Sequence, residues 1–133
     1  MSEWDNESIV DDINSYVGFV YQITNIKTGK AYIGIKKFWK KIRRKPLKGQ
    51  KRVRLDQLES DWKNYKTSNK EMQEGLKSHP EDYSKFILKL CKSVTEMKAY
   101  EAYLQLSFYF KGDWDLLMNE MINLRIRIRK GGK

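Results

Sequence analysis

Two tyrosines, Tyr21 and Tyr32, stand on either side of a KTG turn in the stretch GFVYQITNIKTGKAYIGI, residues 18–35. Lys36 follows at once and opens the most basic segment of the chain. Residues 17–25 and 30–35 are rich in β-branched and aromatic types, so they read as a hairpin. With Thr28-Gly29 as a two-residue turn, Asn25 faces Tyr32, Ile23 faces Gly34 and Tyr21 faces Lys36. Side chains alternate along a strand, which puts Phe19, Tyr21, Tyr32 and Lys36 on one face. Val20, Ala31, Ile33 and Ile35 fall on the other, with Gln22 and Thr24, and form the expected core. Gly34 leaves a gap beside the tyrosines. Two hydroxyls and an ammonium on one face could serve a phosphate. On the residues alone, a pair of half-buried sheet tyrosines with satisfied hydroxyls accounts for them as well.

The rest of the chain must position that face. Residues 1–16 are an acidic arm, and 17–133 read as a single domain with a basic tail. Pro46 and Gly49 break any long helix across 36–54. Ser60 offers an N-cap for a short helix to about Tyr65, and a second helix runs from Ser68 to Lys77, stopped by HPED. YSKFILKLC reads as a third strand. SVTEMKAYEAYLQLSFYF has helical spacing, with Glu96 close behind a Ser/Thr start. GDWD marks a break, and DLLMNEMINLRIRI reads as a final helix. The sum is α+β: a small three-stranded antiparallel sheet flanked by helices.

Charge narrows the partner. Over 133 residues the net charge is +10, with 40% hydrophobic and 33% charged residues. The first twelve residues hold Glu3, Asp5, Glu7, Asp11 and Asp12 and no base, whereas Lys36 to Arg54 hold eleven Lys or Arg and no acid. Five more basic residues follow from Arg125 to the end. So dense a run, interleaved with Phe38 and Trp39, suits phosphate contacts better than a merely solvated face. One cysteine, Cys91, excludes an internal disulfide and fits a reducing, cytoplasmic compartment. With His79 as the lone histidine, a zinc site of the usual kind cannot be built. No apolar run approaches the ~20 residues of a membrane span.

These residues resemble a known family. The spacing of Tyr21 and Tyr32, the run VYQITN and the intact YIG of KAYIG are similar to the GIY-YIG nuclease domain, the first motif being FVY here. FW at 38–39, KPLKG, ESDW, YKTS and NEMINLRIRIRK extend the likeness toward small GIY-YIG proteins of tailed phages related to free-standing homing endonucleases. The resemblance covers about residues 17–130. It implies hydrolysis of double-stranded DNA to 5′-phosphate and 3′-hydroxyl ends with a divalent metal, Mg2+ or Mn2+, in the cytoplasm of a phage-infected host cell.

The resemblance also implies roles for single residues. Tyr21 would take a proton from the attacking water. A phenol with a pKa near ~10 is a weak base at neutral pH, so a cation such as Lys36 would be needed beside it. Tyr32 would orient the water or the scissile phosphate. An arginine on a helix after YIG would neutralise transition-state charge. The usual offset lands on Ile42, so Arg43 is favoured, with Arg44, Lys36 and Lys37 competing. Glu101 would bind the metal. The residues give a separate reason to notice it, because Glu101 lies at the edge of the apolar stripe of Met97, Tyr100, Leu104 and Phe108, and a carboxylate there is costly without a cation or hydrogen bonds. A glutamate that snorkels or pairs with a lysine is the alternative, and Glu96 suits capping. Asn123 is favoured over Asn119 for the asparagine that closes the site. Lys37, Lys40, Lys41, Arg44, Lys48, Lys51, Arg52, Arg54, Arg125, Arg127 and Arg129 are candidate phosphate contacts. One site cuts one strand per engagement, so a double-strand break needs a homodimer on DNA or two nicks. The runner-up is a basic DNA-binding protein that keeps the fold without turnover.

Overall fold

The computed structural model describes residues 3–119. Its central sheet has three antiparallel strands in the order β2-β1-β5, with β1 at Gly18–Asn25, β2 at Ala31–Lys37 and β5 at Tyr83–Cys91. Helix α1, Lys70–Ser78, precedes β5 and helix α2, Val94–Phe110, follows it. The α+β architecture expected from the sequence is therefore the observed one.

The hairpin pairs two residues away from the expected register. Tyr21 faces Gly34, Ile23 faces Tyr32 and Phe19 faces Lys36. The cause is local. Asn25 Oδ1 accepts from the amides of Lys27 and Thr28, and its carbonyl accepts from Gly29 at φ +79°. This Asx-capped loop displaces the tight two-residue turn. A shift of two preserves the faces, because the side-chain period is two. Lys36 is consequently not the cross-strand partner of Tyr21. Nor does Gly34 leave an open gap: a Cβ there would lie 2.5 Å from the Tyr21 hydroxyl, so the glycine makes room for the Tyr21 ring.

Both faces of the sheet are buried. Val20, Ile33 and Cys91 pack with Met97 of α2, as the alternation suggested. The larger core lies on the tyrosine face, where Phe19, Tyr21 and Ile23 join Trp4, Phe38, Trp62, Met72, Leu76 and Ile87. Edge-to-face rings hold it, Phe38 and Trp62 at 5.0 Å and Trp4 and Phe19 at 5.2 Å between centroids. Each such side chain stabilises the fold by roughly 1.5–3 kcal/mol through burial.

Trp4 shows that the acidic arm belongs to this core. Asn6 brackets Ile87 of β5, with Oδ1 accepting from the amide and Nδ2 donating to the carbonyl, and Asp5 pairs similarly with Lys85. The arm thus covers the free edge of β5. The opposite edge, β2, is covered by the segment after α2. Leu117 bridges Ala31 in parallel, and Asn119 brackets Ile33 through Oδ1 and Nδ2. Residues 115–119 are therefore a 3-10 turn and an extended stretch, where the sequence suggested the start of a helix. Unpaired backbone groups on a sheet edge give an extended segment its partners.

The basic segment is not helical either. β3, Trp39–Arg44, and β4, Arg54–Glu59, form a separate two-stranded antiparallel sheet. The two helices follow their caps. Asn69, one residue beyond the expected start, accepts from Met72 N at 3.0 Å to begin α1. Ser93 accepts from Glu96 N at 3.0 Å and Glu96 Oε1 accepts from Lys92 N, which bears out the capping role of Glu96.

Candidate active site

Tyr32 points into an open cleft of about 570 Å3 lined also by Ser68, Asn69, Lys70, Glu71, Met118 and Asn119. Its hydroxyl lies 3.0 Å from Ser68 Oγ, at the N-terminal end of α1. Unpaired amides and the helix dipole favour negative charge at such a terminus, and Lys70 adds a cation. Hydroxyls, amides and an ammonium here face one volume of solvent. A phosphate fits that chemistry.

Tyr21 lies beneath this cleft. Its ring centroid is 6.3 Å from that of Tyr32 and 6.0 Å from that of Tyr65. The residue is 1% exposed, and its hydroxyl shares a buried hydrogen bond of 3.0 Å with Thr67 Oγ1. Burial pushes the phenol well above the ordinary tyrosine range, against a smaller opposing effect of the Thr67 bond. Thr67 itself has φ +134°, a strained conformation for a β-branched residue. The Gln73 amide, which donates to the Thr67 carbonyl, helps to hold it there.

The cations sit otherwise than expected. Lys36 Nζ pairs with Asp61 at 2.7 Å and lies over the Tyr65 ring at 4.1 Å. The hydrogen bond from Lys36 holds the Asp61 carboxyl below its usual range. Lys85, which the sequence reading did not single out, is on the tyrosine face of β5. It is 4% exposed and donates to the Tyr65 carbonyl at 2.7 Å, with Glu3 at 3.7 Å and the Trp4 ring at 4.4 Å. Burial lowers its pKa, and the Glu3 carboxylate opposes that shift. Alternation along YSKFILKLC would have placed Lys85 with Ile87 on a core face.

Arg43 is on strand β3, where the resemblance implied a helix. Arg44 is occupied by Asp56 at 2.8 Å, and Arg54 donates to the Lys45 carbonyl. Lys48, Lys51 and Arg52 are exposed in the loop between β3 and β4, while Lys37, Lys40 and Lys41 line a second cleft. Asn123, Arg125, Arg127 and Arg129 lie outside the described residues. Asn119, the less favoured asparagine, is the one that lines the Tyr32 cleft.

Glu101 is half-buried on α2, which packs against the Val20 and Ile33 face. The tyrosines occupy the opposite face. Burial raises its carboxyl pKa, partly offset by Lys98, and no other described residue forms a hydrogen bond or ion pair with its side chain. The carboxylate that lines the Tyr32 cleft is Glu71, exposed in the first turn of α1. Mg2+ takes one or two carboxylates and retains several waters, so either residue suits it. His79, Glu81 and Asp82 bring ligand atoms within 4.8 Å of one another but share no residue with this cleft, and Asp82 is paired with Lys27.

A family model described as "Putative endonuclease segE, GIY-YIG domain" matches residues 4–110. No curated protein and no solved structure matches the chain. The matched span includes both tyrosines, the basic hairpin and α2 with Glu101, and it begins at Trp4, the arm residue buried in the core.

Proposed function

The chain belongs to the segE-type GIY-YIG endonuclease family, a nuclease family acting on DNA, and from that premise we propose that it hydrolyses DNA phosphodiester bonds with a divalent metal, Mg2+ or Mn2+. The observation that carries this reading is the Tyr32 hydroxyl beside Ser68 at the start of α1, open to solvent. A phosphate seated there puts its non-bridging oxygens on the Ser68 hydroxyl and the free amides of α1, with Lys70 nearby. Charge held in place before reaction is often the largest catalytic contribution.

Tyr32 orients the attacking water. The water oxygen bonds to phosphorus as the bond to the 3′-oxygen breaks, and the departing 3′-oxygen takes a proton from solvent, leaving a 5′-phosphate and a 3′-hydroxyl. The resemblance gives Tyr21 the water's proton. Because burial keeps its phenol protonated and Lys36 is engaged by Asp61, Tyr21 would take that proton only once residues 65–68 move off its hydroxyl and its own proton passes to solvent. The resemblance assigns the ion to Glu101, whose partly buried charge a cation would stabilise. Helix α2 lies on the sheet face opposite Tyr32, so that assignment competes with Glu71, the carboxylate in the Tyr32 cleft. A bound divalent ion supplies Lewis-acid stabilisation of phosphate charge and a more acidic water. Arg43, on β3, would neutralise phosphate charge in the DNA-bound state, and Asn123 completes the assignments.

The closed environment of Tyr21 favours a second reading, a DNA-binding protein that retains the fold without turnover. Nicking of supercoiled plasmid in Mg2+ or Mn2+ separates the two. Wild type should nick, and Tyr32→Phe, Tyr21→Phe and Glu101→Gln should each lose at least ~100-fold, the scale of a lost proton-transfer or positioning group. Salt-sensitive binding with no nicking in either metal would establish the second reading.

A further inference from the structure

At the other end of β2 from Tyr32 is a larger cleft, of about 1110 Å3. It lies between the 3-10 turn at Ile13–Ser15, the end of β2, the β3–β4 hairpin and the approach to α2. Lys36, Lys37, Lys40, Lys41 and Lys92 line it together with Trp39, and none of its described lining residues is acidic. Lys36 is engaged by Asp61, whereas Lys37, Lys40, Lys41 and Lys92 form no ion pair among the described residues. Lys92 follows directly after β5, outside the basic run, so the fold brings a lysine in from a distant segment. Like charges in one concavity repel, and a concave positive surface concentrates a polyanion.

The two clefts share no lining residue. Tyr32 and Lys36 are four positions apart on β2, about 13 Å at ~3.3 Å per residue. That is roughly four base-pair steps at ~3.4 Å of rise. We propose that this cleft holds the DNA phosphate backbone on one side of the cut, roughly four base-pair steps from the scissile phosphate, with Lys41 and Lys92 on its opposing walls. The proposal rests on the nuclease reading for the position of the cut, and assigns Lys36 to the walls of this cleft.

Binding to a short duplex in EDTA, followed across salt concentrations, tests it apart from catalysis. The double variant Lys41→Gln/Lys92→Gln alters only exposed side chains. Each lost phosphate contact lowers the slope of log K against log salt by ~0.9, so the double variant should lower it by ~1.8 and weaken binding at least tenfold in low salt. Lys77→Gln/Lys111→Gln, exposed elsewhere, should match wild type. Hydroxyl-radical footprints should show the lost protection displaced to one side of the cut. A wild-type slope and affinity in the Lys41/Lys92 variant would overturn the proposal, as would protection lost at the cut itself. Wild type that binds with this lysine dependence but never nicks would leave the cleft standing and remove the nuclease reading. Wild type that fails to bind DNA would remove the cleft proposal.

Discussion

The hydroxyls of Tyr21 and Thr67 lie 3.0 Å apart in the core, 46 residues apart in sequence, and this bond joins the sheet to the segment that leads into α1. It closes Tyr21 off from solvent and fixes the residue before Ser68. Removing only the threonine hydroxyl, in Thr67→Val, leaves a buried phenol unsatisfied and should destabilise the protein by roughly 1–3 kcal/mol. Valine is β-branched too, so it bears much of the same backbone strain and the comparison isolates the hydroxyl. In a Tyr21→Phe background the same change should cost about 1 kcal/mol less. Urea denaturation of the four proteins measures that coupling. Strict additivity would mean that the bond contributes nothing.

The same burial sets an alkaline limit. The folded-state pKa of Tyr21 is raised above its ordinary value of 10.0, first by desolvation. The stability linked to this proton is complete below the ordinary tyrosine pKa and is lost as pH rises above it, because the unfolded chain ionises more readily. Ultraviolet titration should therefore show a tyrosine component that ionises only well above the ordinary range, and Tyr21→Phe should remove that component. A wild-type minus Tyr21→Phe difference titration that falls in the ordinary tyrosine range would contradict the closed geometry.

Gly34 is where the family motif meets packing. An alanine Cβ there would come within 2.5–2.6 Å of the Tyr21 hydroxyl and Cζ, and the ring is enclosed by Trp4, Tyr32 and Tyr65. Gly34→Ala should cost roughly 1–3 kcal/mol as overpacking and displace Tyr21. Thermal unfolding together with the nicking assay tests both effects. An undiminished melting temperature would show that the ring can move aside freely.

Much of this was legible in the sequence because it rests on short-range rules. The alternation of GFVYQITN and KAYIGIKK gave the correct faces despite a register wrong by two residues, since an even shift preserves them. Ser93 and Glu96 announced the start of α2 through capping chemistry. The closing contacts were not legible. Nothing local tells Trp4 to enter the core, Asn119 to bracket Ile33, or Thr67 to bond Tyr21, as these pairs are made across 15 to 86 positions and depend on which sheet edges the fold leaves open. The basic segment misled for another reason. The resemblance implied a helix at Arg43, but Pro46, Gly49 and the β-strand pairing of Trp39–Arg44 with Arg54–Glu59 make a hairpin.

Glu101 offers the sharpest test of where a metal binds. Its folded-state pKa is raised above 4.5 by burial, with Lys98 opposing in part. Below the ordinary glutamate pKa the group is protonated in both states and costs nothing. As pH rises through the folded value, the native state must bear a half-buried charge and stability declines. Glu101→Gln should therefore match wild type near pH 4 and exceed it at pH 7 in thermal unfolding without metal. A divalent ion bound by Glu101 reverses the order, because it stabilises only the chain that carries the carboxylate. Magnesium should raise the melting temperature of wild type and leave Glu101→Gln unmoved. If magnesium raises both equally, and Glu71→Gln abolishes the rise, the ion belongs to the carboxylate that shares the Tyr32 cleft.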